Sequence, residues 1–230
     1  MSTAAHIAWD QVDTVLLDMD GTLLDLHFDN HFWREYVPAR YAHSRGLDLP
    51  LARSLLNVQF RRAEGTLDWY CVDYWTRELN LDLALLKREV AQFIAVKPGA
   101  LAFLARLQAD GKRRVLVTNA HRKSLALKLE HTRLDAYLDR IICAHDLGRP
   151  KEDLTFWTHL NAVEAFDPRR TLLIDDNLGA LRSARDYGIA QLLAVLRPSS
   201  QAPPVTQAEF RVVTEFDSLG PPQRSIAAHP

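Results

Sequence analysis

The sequence predicts an α/β protein, a doubly wound parallel sheet with a Rossmann-like core that carries an inserted small α-helical segment. Three observations predict it. Beyond residue 97, short and nearly continuous apolar runs alternate with amphipathic stretches, the pattern of strands buried on both faces and separated by helices. One further apolar run stands at the front of the chain. Between them, residues 26–96 lack a clear buried strand and read as helices throughout.

The front strand is Val12 to Leu17. The helical segment follows, with stretches at Phe32 to Ala42, Leu51 to Ala63, Leu67 to Leu79 and Asp82 to Phe93. It holds 11 of the chain's 20 aromatic residues, enough to give it a small core of its own. Leu24 to Phe28 is read as the exit from the sheet and Lys97, Pro98 and Gly99 as the return; His27, Asp29, Asn30 and His31 follow the first motif, where a loop could face the mouth of the site, and are read as exposed linker. The predicted organisation is therefore a discontinuous α/β core, residues 1–25 and 97–230, around a helical unit, residues 26–96. Later strands fall at Arg114 to Thr118, Arg140 to Ala144, Thr171 to Asp175 and Ala190 to Leu196. Helices at Ser124 to Arg133, Asp153 to Phe166 and Leu178 to Tyr187 separate them, each with leucines and alanines at helical spacing. Gly111 and Gly188 close helices just before strands, as left-handed caps do. Six of the 11 prolines lie from Pro198 onward, so the last stretch is mainly loop, with Phe210 to Val213 as a possible edge strand.

Composition excludes several function classes. The 28 Lys and Arg against 29 Asp and Glu leave a net charge of −1, so no broad cationic surface exists to bind a nucleic acid polymer or an anionic membrane. No apolar run approaches the roughly 20 residues of a membrane span, and the N-terminus has no basic and apolar leader pattern, so a cytoplasmic location is expected. The two cysteines, Cys71 and Cys143, are far apart and flanked by apolar or aromatic residues, which suits buried thiols. Any metal must then sit on oxygen.

In a doubly wound sheet, ligands bind beyond the carboxyl ends of the strands. Four of those ends are polar in complementary ways. The front strand ends in Asp18, Met19, Asp20, Gly21, Thr22; the next in Thr118, Asn119; the strand before the second-last helix in a loop that delivers Lys151; and the Thr171 strand in Asp175, Asp176. Taken singly, each has an ordinary reading as a turn, a helix cap or a solvated lysine. Together, at four ends of one sheet, they point to a shared site.

In order and spacing, DMDGT, TN, a loop lysine and DD resemble the four motifs of the haloacid dehalogenase superfamily of phosphohydrolases. The longer pieces DTVLLDMDGTLLDL, TLDWYCVDYW and KLEHTRLDAYL are similar to the bacterial GMP/IMP nucleotidases within it. The resemblance implies a magnesium-dependent phosphomonoester hydrolase whose small helical cap interrupts the core after the first motif. It implies Asp18 as the nucleophile that forms an aspartyl-phosphate, with Asp20 protonating the leaving oxygen and then activating water. Four gathered carboxylates would repel one another unless a cation sits among them, and Mg2+ favours such hard oxygen ligands. By resemblance its ligands are the Asp18 carboxylate, the Asp20 main-chain carbonyl and the Asp175 and Asp176 pair, with Asp176 the more direct of the two. Thr118, Asn119 and Lys151 would hold the phosphate oxygens opposite the metal. The chain departs from the family pattern at Lys151, which follows Pro150 and precedes Glu152 and Asp153, acids that suit a helix start and could pair with the lysine.

The leaving group must be read by the cap. Trp69 and Asp73 are four apart and would share a helix face, where an aromatic plane and a carboxylate suit a guanine or hypoxanthine ring. The same aromatics would equally fill the core of a small bundle. The expected partner is thus a purine nucleoside monophosphate. A sugar-phosphate phosphatase or phosphomutase is the nearest alternative. Dehalogenation has little use for Asp20 or the Asp175 and Asp176 pair, and a retired regulatory protein would not need all four motifs intact. Phosphonate cleavage needs a cap lysine, and Lys87, the only lysine of the segment, has neighbours Arg88 and Glu89 that suggest surface.

Overall fold

The computed structural model describes residues 7–220. Pro221, Pro222 and Pro230 of the proline-rich end, and residues 1–6 of the leader comparison, lie outside the described residues. In chain order the protein comprises β1 (Thr14–Leu17), α1 (His27–His31), a π-helical turn (Phe32–Tyr36), α2 (Val37–Arg45), α3 (Leu49–Ala63), α4 (Leu67–Tyr70), α5 (Val72–Leu79) and α6 (Leu83–Glu89). Then follow α7 (Ala100–Ala109), β2 (Arg113–Thr118), α8 (Arg122–Thr132), β3 (Arg140–Cys143), α9 (Ala144–Leu147), α10 (Leu154–Val163), β4 (Thr171–Asp175), α11 (Leu178–Tyr187), β5 (Gln191–Val195) and β6 (Arg211–Val213).

The six strands form one sheet in the order β3-β2-β1-β4-β5-β6, every neighbouring pair parallel. Their apolar side chains alternate between two cores, as the period of two demands. Val15, Leu17, Leu116, Leu172 and Ile174 join one cluster, with Phe103 and Leu104 of α7. Leu16, Val115, Val117 and Leu173 join the other, with Phe156 and Trp157 of α10. All four residues of β1 are buried, and each of the three aliphatic side chains, Val15, Leu16 and Leu17, contributes about 2 kcal/mol. The order reverses between β1 and β4, so the crevice beyond their carboxyl ends is where this fold leaves room for a ligand.

The helical segment α1 to α6 packs around a third cluster built on Phe28, Phe32, Leu56, Val72, Trp75 and Leu86, which Leu127 of α8 also joins. The two connections to the sheet run side by side: Asp25 N–H donates to the Ala95 carbonyl at 2.9 Å and Lys97 N–H to that of Leu23 at 2.9 Å.

Two local expectations are corrected. The segment His27 to His31 is helix α1 rather than exposed linker, because Phe28 is drawn into the third cluster and takes the turn with it. The stretch Leu67 to Leu79 is two helices, because Cys71 adopts an extended conformation (φ −84, ψ 110) and its Sγ accepts the Tyr74 N–H at the start of α5.

Candidate active site

Leu17 is the last paired residue of β1, opposite Leu116 and Ile174, so the chain leaves the sheet with Asp18 at its carboxyl end, level with Asp175 on β4 and one position short of Thr118 on β2. Gly21 makes the tight turn that follows possible. Its φ of +84° is a left-handed value, and a Cβ there would lie 2.3 Å from Asp176 Oδ2. The DMDGT turn and the Asp175 and Asp176 pair are therefore packed directly against each other.

Lys151 reaches the centre of this group. Its Nζ donates to Asp18 Oδ1 and to Asp175 Oδ2, both at 2.6 Å, and the side chain is buried. The Lys151 backbone N–H donates to Asn119 Oδ1 at 3.0 Å. Burial opposes the lysine's charge, but Asp175 and Asp18 more than offset it and hold the proton firmly. The neighbouring acids do not take the lysine, as the sequence left open. Asp153 caps α10 by accepting the Thr155 N–H, and Glu152 turns to other partners.

Carboxylate oxygens of Asp18, Asp175 and Asp176 lie within 4.8 Å of one another. Ionised together, they outnumber the Lys151 ammonium by two charges. Burial pushes Asp18 up to about 6 against the pull of Lys151, and burial with the charges of Asp18 and Asp175 raises Asp176 well above the usual carboxylate range. Asp18 Oδ2 is buried and has no hydrogen-bond partner. Both oxygens of Asp175 are engaged, one by Lys151 and one by the Asn177 N–H at 2.9 Å. An orphaned, buried oxygen beside surplus negative charge fits a hard divalent cation, with Asp18 and Asp176 presenting the free ligands.

Asp20 has a different environment. Its Oδ1 accepts from Lys128 Nζ at 2.6 Å, and the same ammonium donates to Asp29 Oδ2 at 2.6 Å. Asp29 Oδ1 accepts from Lys87 Nζ at 2.9 Å. Lys87 is thus buried, not on the surface as its neighbours suggested, because α6 turns Leu83, Leu86 and Lys87 inward together. Its ammonium also lies over the rings of Phe28 and Phe32, at 4.8 and 4.4 Å from their centroids, and burial pulls its pKa below the ordinary lysine value while the charge of Asp29 opposes this. Burial pushes Asp20 up to about 6 despite Lys128. Burial also works against Asp29, yet Lys128 and Lys87 keep that carboxyl below its usual range.

Thr118 Oγ1 accepts the Ala120 N–H at 3.0 Å, which leaves its own proton free to donate. Asn119 is committed at both ends, to the Lys151 N–H and, through Nδ2, to Glu152 Oε2 at 2.8 Å. Its side chain joins two loops, and one of the two Nδ2 hydrogens goes to Glu152. Glu152 Oε1 further accepts from the Tyr70 hydroxyl at 2.6 Å and from Asn177 Nδ2 at 2.7 Å.

Above the carboxylates opens a cavity of about 940 Å³. Trp33, Phe60, Trp69 and Trp75 from the helical insertion line it, and Phe60 meets Trp69 and Trp75 edge to face at 6.0 and 4.9 Å. Trp69 lines the cavity. Asp73 does not: the break at Cys71 puts it on a separate helix, where it is half exposed and pairs with Lys123 at 2.5 Å and His121 at 3.7 Å.

Sequence reasoning passed over Lys128, read Asp29 and Lys87 as exposed, and gave Glu152 only a helix start or a pairing with Lys151. Lys128 stood three residues after Leu125 and four after Ser124, on the inward face of α8, which is the signal that could have found it.

A family model described as haloacid dehalogenase-like hydrolase matches residues 12–188. A GMP/IMP nucleotidase of Escherichia coli is 44% identical over 195 residues, covering 85% of this chain and 88% of that one. Among solved structures, a HAD phosphatase from Thermococcus onnurineus superposes with a TM-score of 0.73 at 20% identity, over 87% of this chain and 93% of that one. An L-2-haloacid dehalogenase from Xanthobacter autotrophicus gives 0.60 at 18%, over 90% and 96%. At such identities the two structures speak for the fold alone, which serves more than one chemistry. Among the described residues no helix is long and apolar enough to cross a membrane.

Proposed function

The chain belongs to the haloacid dehalogenase-like hydrolases, and we propose that within them it is a magnesium-dependent 5′-nucleotidase acting on the purine monophosphates GMP and IMP. The observation that carries the phosphatase reading is the division between its two leading carboxylates. Asp18 lies in the acidic cluster against Lys151, whereas Asp20, two residues on, turns away to Lys128. Phosphomonoester hydrolysis needs one nucleophile and one proton carrier in different surroundings; dehalogenation needs only the first.

Asp18 attacks phosphorus to form the aspartyl-phosphate, and Asp20 protonates the departing alkoxide and then takes a proton from the hydrolytic water. The Thr118 hydroxyl and Lys151 Nζ neutralise phosphate oxygens, and Asn119 fixes the Lys151 backbone. Asp18 and Asp176 would hold magnesium with the Asp20 carbonyl, Asp175 lying beside them in the cluster, and the ion would supply the remaining positive charge to the phosphate. The helical insertion, residues 26–96, acts as the cap, and Trp69 with Trp33 offers ring faces for the purine. Purine selectivity rests on the similarity to the E. coli nucleotidase and on a cavity large enough for a nucleotide.

The test is phosphate release from a panel of nucleoside monophosphates and sugar phosphates with and without magnesium. GMP and IMP are expected to lead, and Asp18→Asn to abolish release. Trp69→Ala should raise KM for GMP while sparing p-nitrophenyl phosphate, and Asp73→Asn should change neither. A preference for a sugar phosphate would move the reading to that substrate class.

A further inference from the structure

Lys128 and Asp29 sit on different parts of the chain, one on α8 beside the sheet and the other on α1 of the helical insertion, 99 positions apart in sequence. They meet over Asp20. The Lys128 side chain is 2% exposed and Asp29 18%, so the contacts are shielded from water. In that setting a charge-assisted hydrogen bond of 2.6 Å sets direction as well as energy. Asp29 in turn cannot swing away, because Lys87 holds its other oxygen and Lys87 is itself seated on the rings of Phe28 and Phe32.

We propose that Lys128 is a positioning residue for Asp20, and that the insertion controls it through Asp29. The ammonium fixes one carboxylate oxygen of Asp20 and leaves the other for the leaving group. Asp29 holds the ammonium in line. Because Asp29 belongs to the insertion, the proton carrier is aligned only when the insertion is docked on the sheet. The inference rests on Asp20 being the proton carrier.

The test exploits the leaving group. A nucleoside alkoxide requires a proton as it departs, whereas p-nitrophenolate leaves without one. The quantity to follow is kcat/KM, which reports steps up to loss of the leaving group and not the later hydrolysis of the aspartyl-phosphate. Asp20→Asn should lower kcat/KM for GMP by about 10²-fold or more and for p-nitrophenyl phosphate far less, which sets the reference ratio. Lys128→Met and Asp29→Asn should each shift the same ratio by about tenfold or more, Lys128→Arg should largely restore it, and Lys128→Met added to Asp20→Asn should cost nothing further. Asp29→Asn removes no buried cation, so it serves if Lys128→Met does not fold. Equal losses on both substrates, or losses that multiply upon Asp20→Asn, would overturn the positioning role while leaving the phosphatase reading intact. An unchanged ratio in Asp20→Asn itself would overturn both.

Discussion

The Tyr70 hydroxyl donates to Glu152 Oε1 at 2.6 Å, linking the helical insertion to the loop that carries Lys151. Burial, and the charge of Glu152, raise the tyrosine's pKa, so it stays a donor across the working range. The same carboxylate accepts from Asn119 and Asn177, which gathers three of the four polar strand ends around one acid.

Glu152→Ala should release those three partners together. Asn119 would lose the contact that orients it toward the Lys151 N–H, so kcat/KM is expected to fall by about 10- to 100-fold with the fold retained. Tyr70→Phe, which removes one donor of three, should cost less. Steady-state kinetics with circular dichroism on both variants check this, and wild-type kinetics for Glu152→Ala would refute it.

Magnesium should raise the melting temperature. Bringing a divalent cation to Asp18, Asp175 and Asp176 relieves their mutual repulsion in the folded state only. At about one hundred times its dissociation constant, mass action adds about 2.7 kcal/mol, worth several degrees for a chain of this size. Chelation should reverse the shift, and Asp176→Asn should abolish it. Differential scanning fluorimetry across a magnesium titration reads both.

At the opposite end of the sheet, Asp139 accepts from Arg114 at three points, the backbone N–H at 2.7 Å and the guanidinium at 3.0 and 2.7 Å. The hydrogen bonds from Arg114 hold its carboxyl below the ordinary value even though partial burial opposes this. An acid depressed in the folded state stabilises it above the unfolded pKa and loses that contribution as pH falls through the folded pKa. The pair therefore acts fully at neutral pH and fails below roughly pH 4. Asp139→Asn should cost about 2 kcal/mol at pH 7 and much less in strong acid, read as melting temperature against pH far from the site.

The sheet and the acidic cluster were legible in the sequence because both follow from local pattern. Leu16, Val115 and Leu173 announce strands by apolar runs, and Asp18, Thr118, Lys151 and Asp175 fall at the ends of those runs, where topology alone requires a shared crevice. The insertion was less legible. Its helices were foreseen, yet the break at Cys71 separates Trp69 from Asp73 through a conformation that no periodicity encodes. Lys87 and Asp29 looked solvated because charged neighbours in sequence say nothing of which helix face turns inward.

What the sequence determined by itself is the set of polar groups at the carboxyl ends of β1, β2 and β4, since strand length and period place them there whatever the rest of the chain does. Only the tertiary structure decided how those groups are paired. Whether Asp20 meets Lys128, whether Glu152 joins Tyr70 to Asn119, and whether Asp73 faces the cavity or Lys123 all depend on how the insertion packs over the sheet. Those contacts span 108, 82 and 50 residues. Partners that far apart are brought together by apolar packing, and packing decides which charges lose water and must find one another.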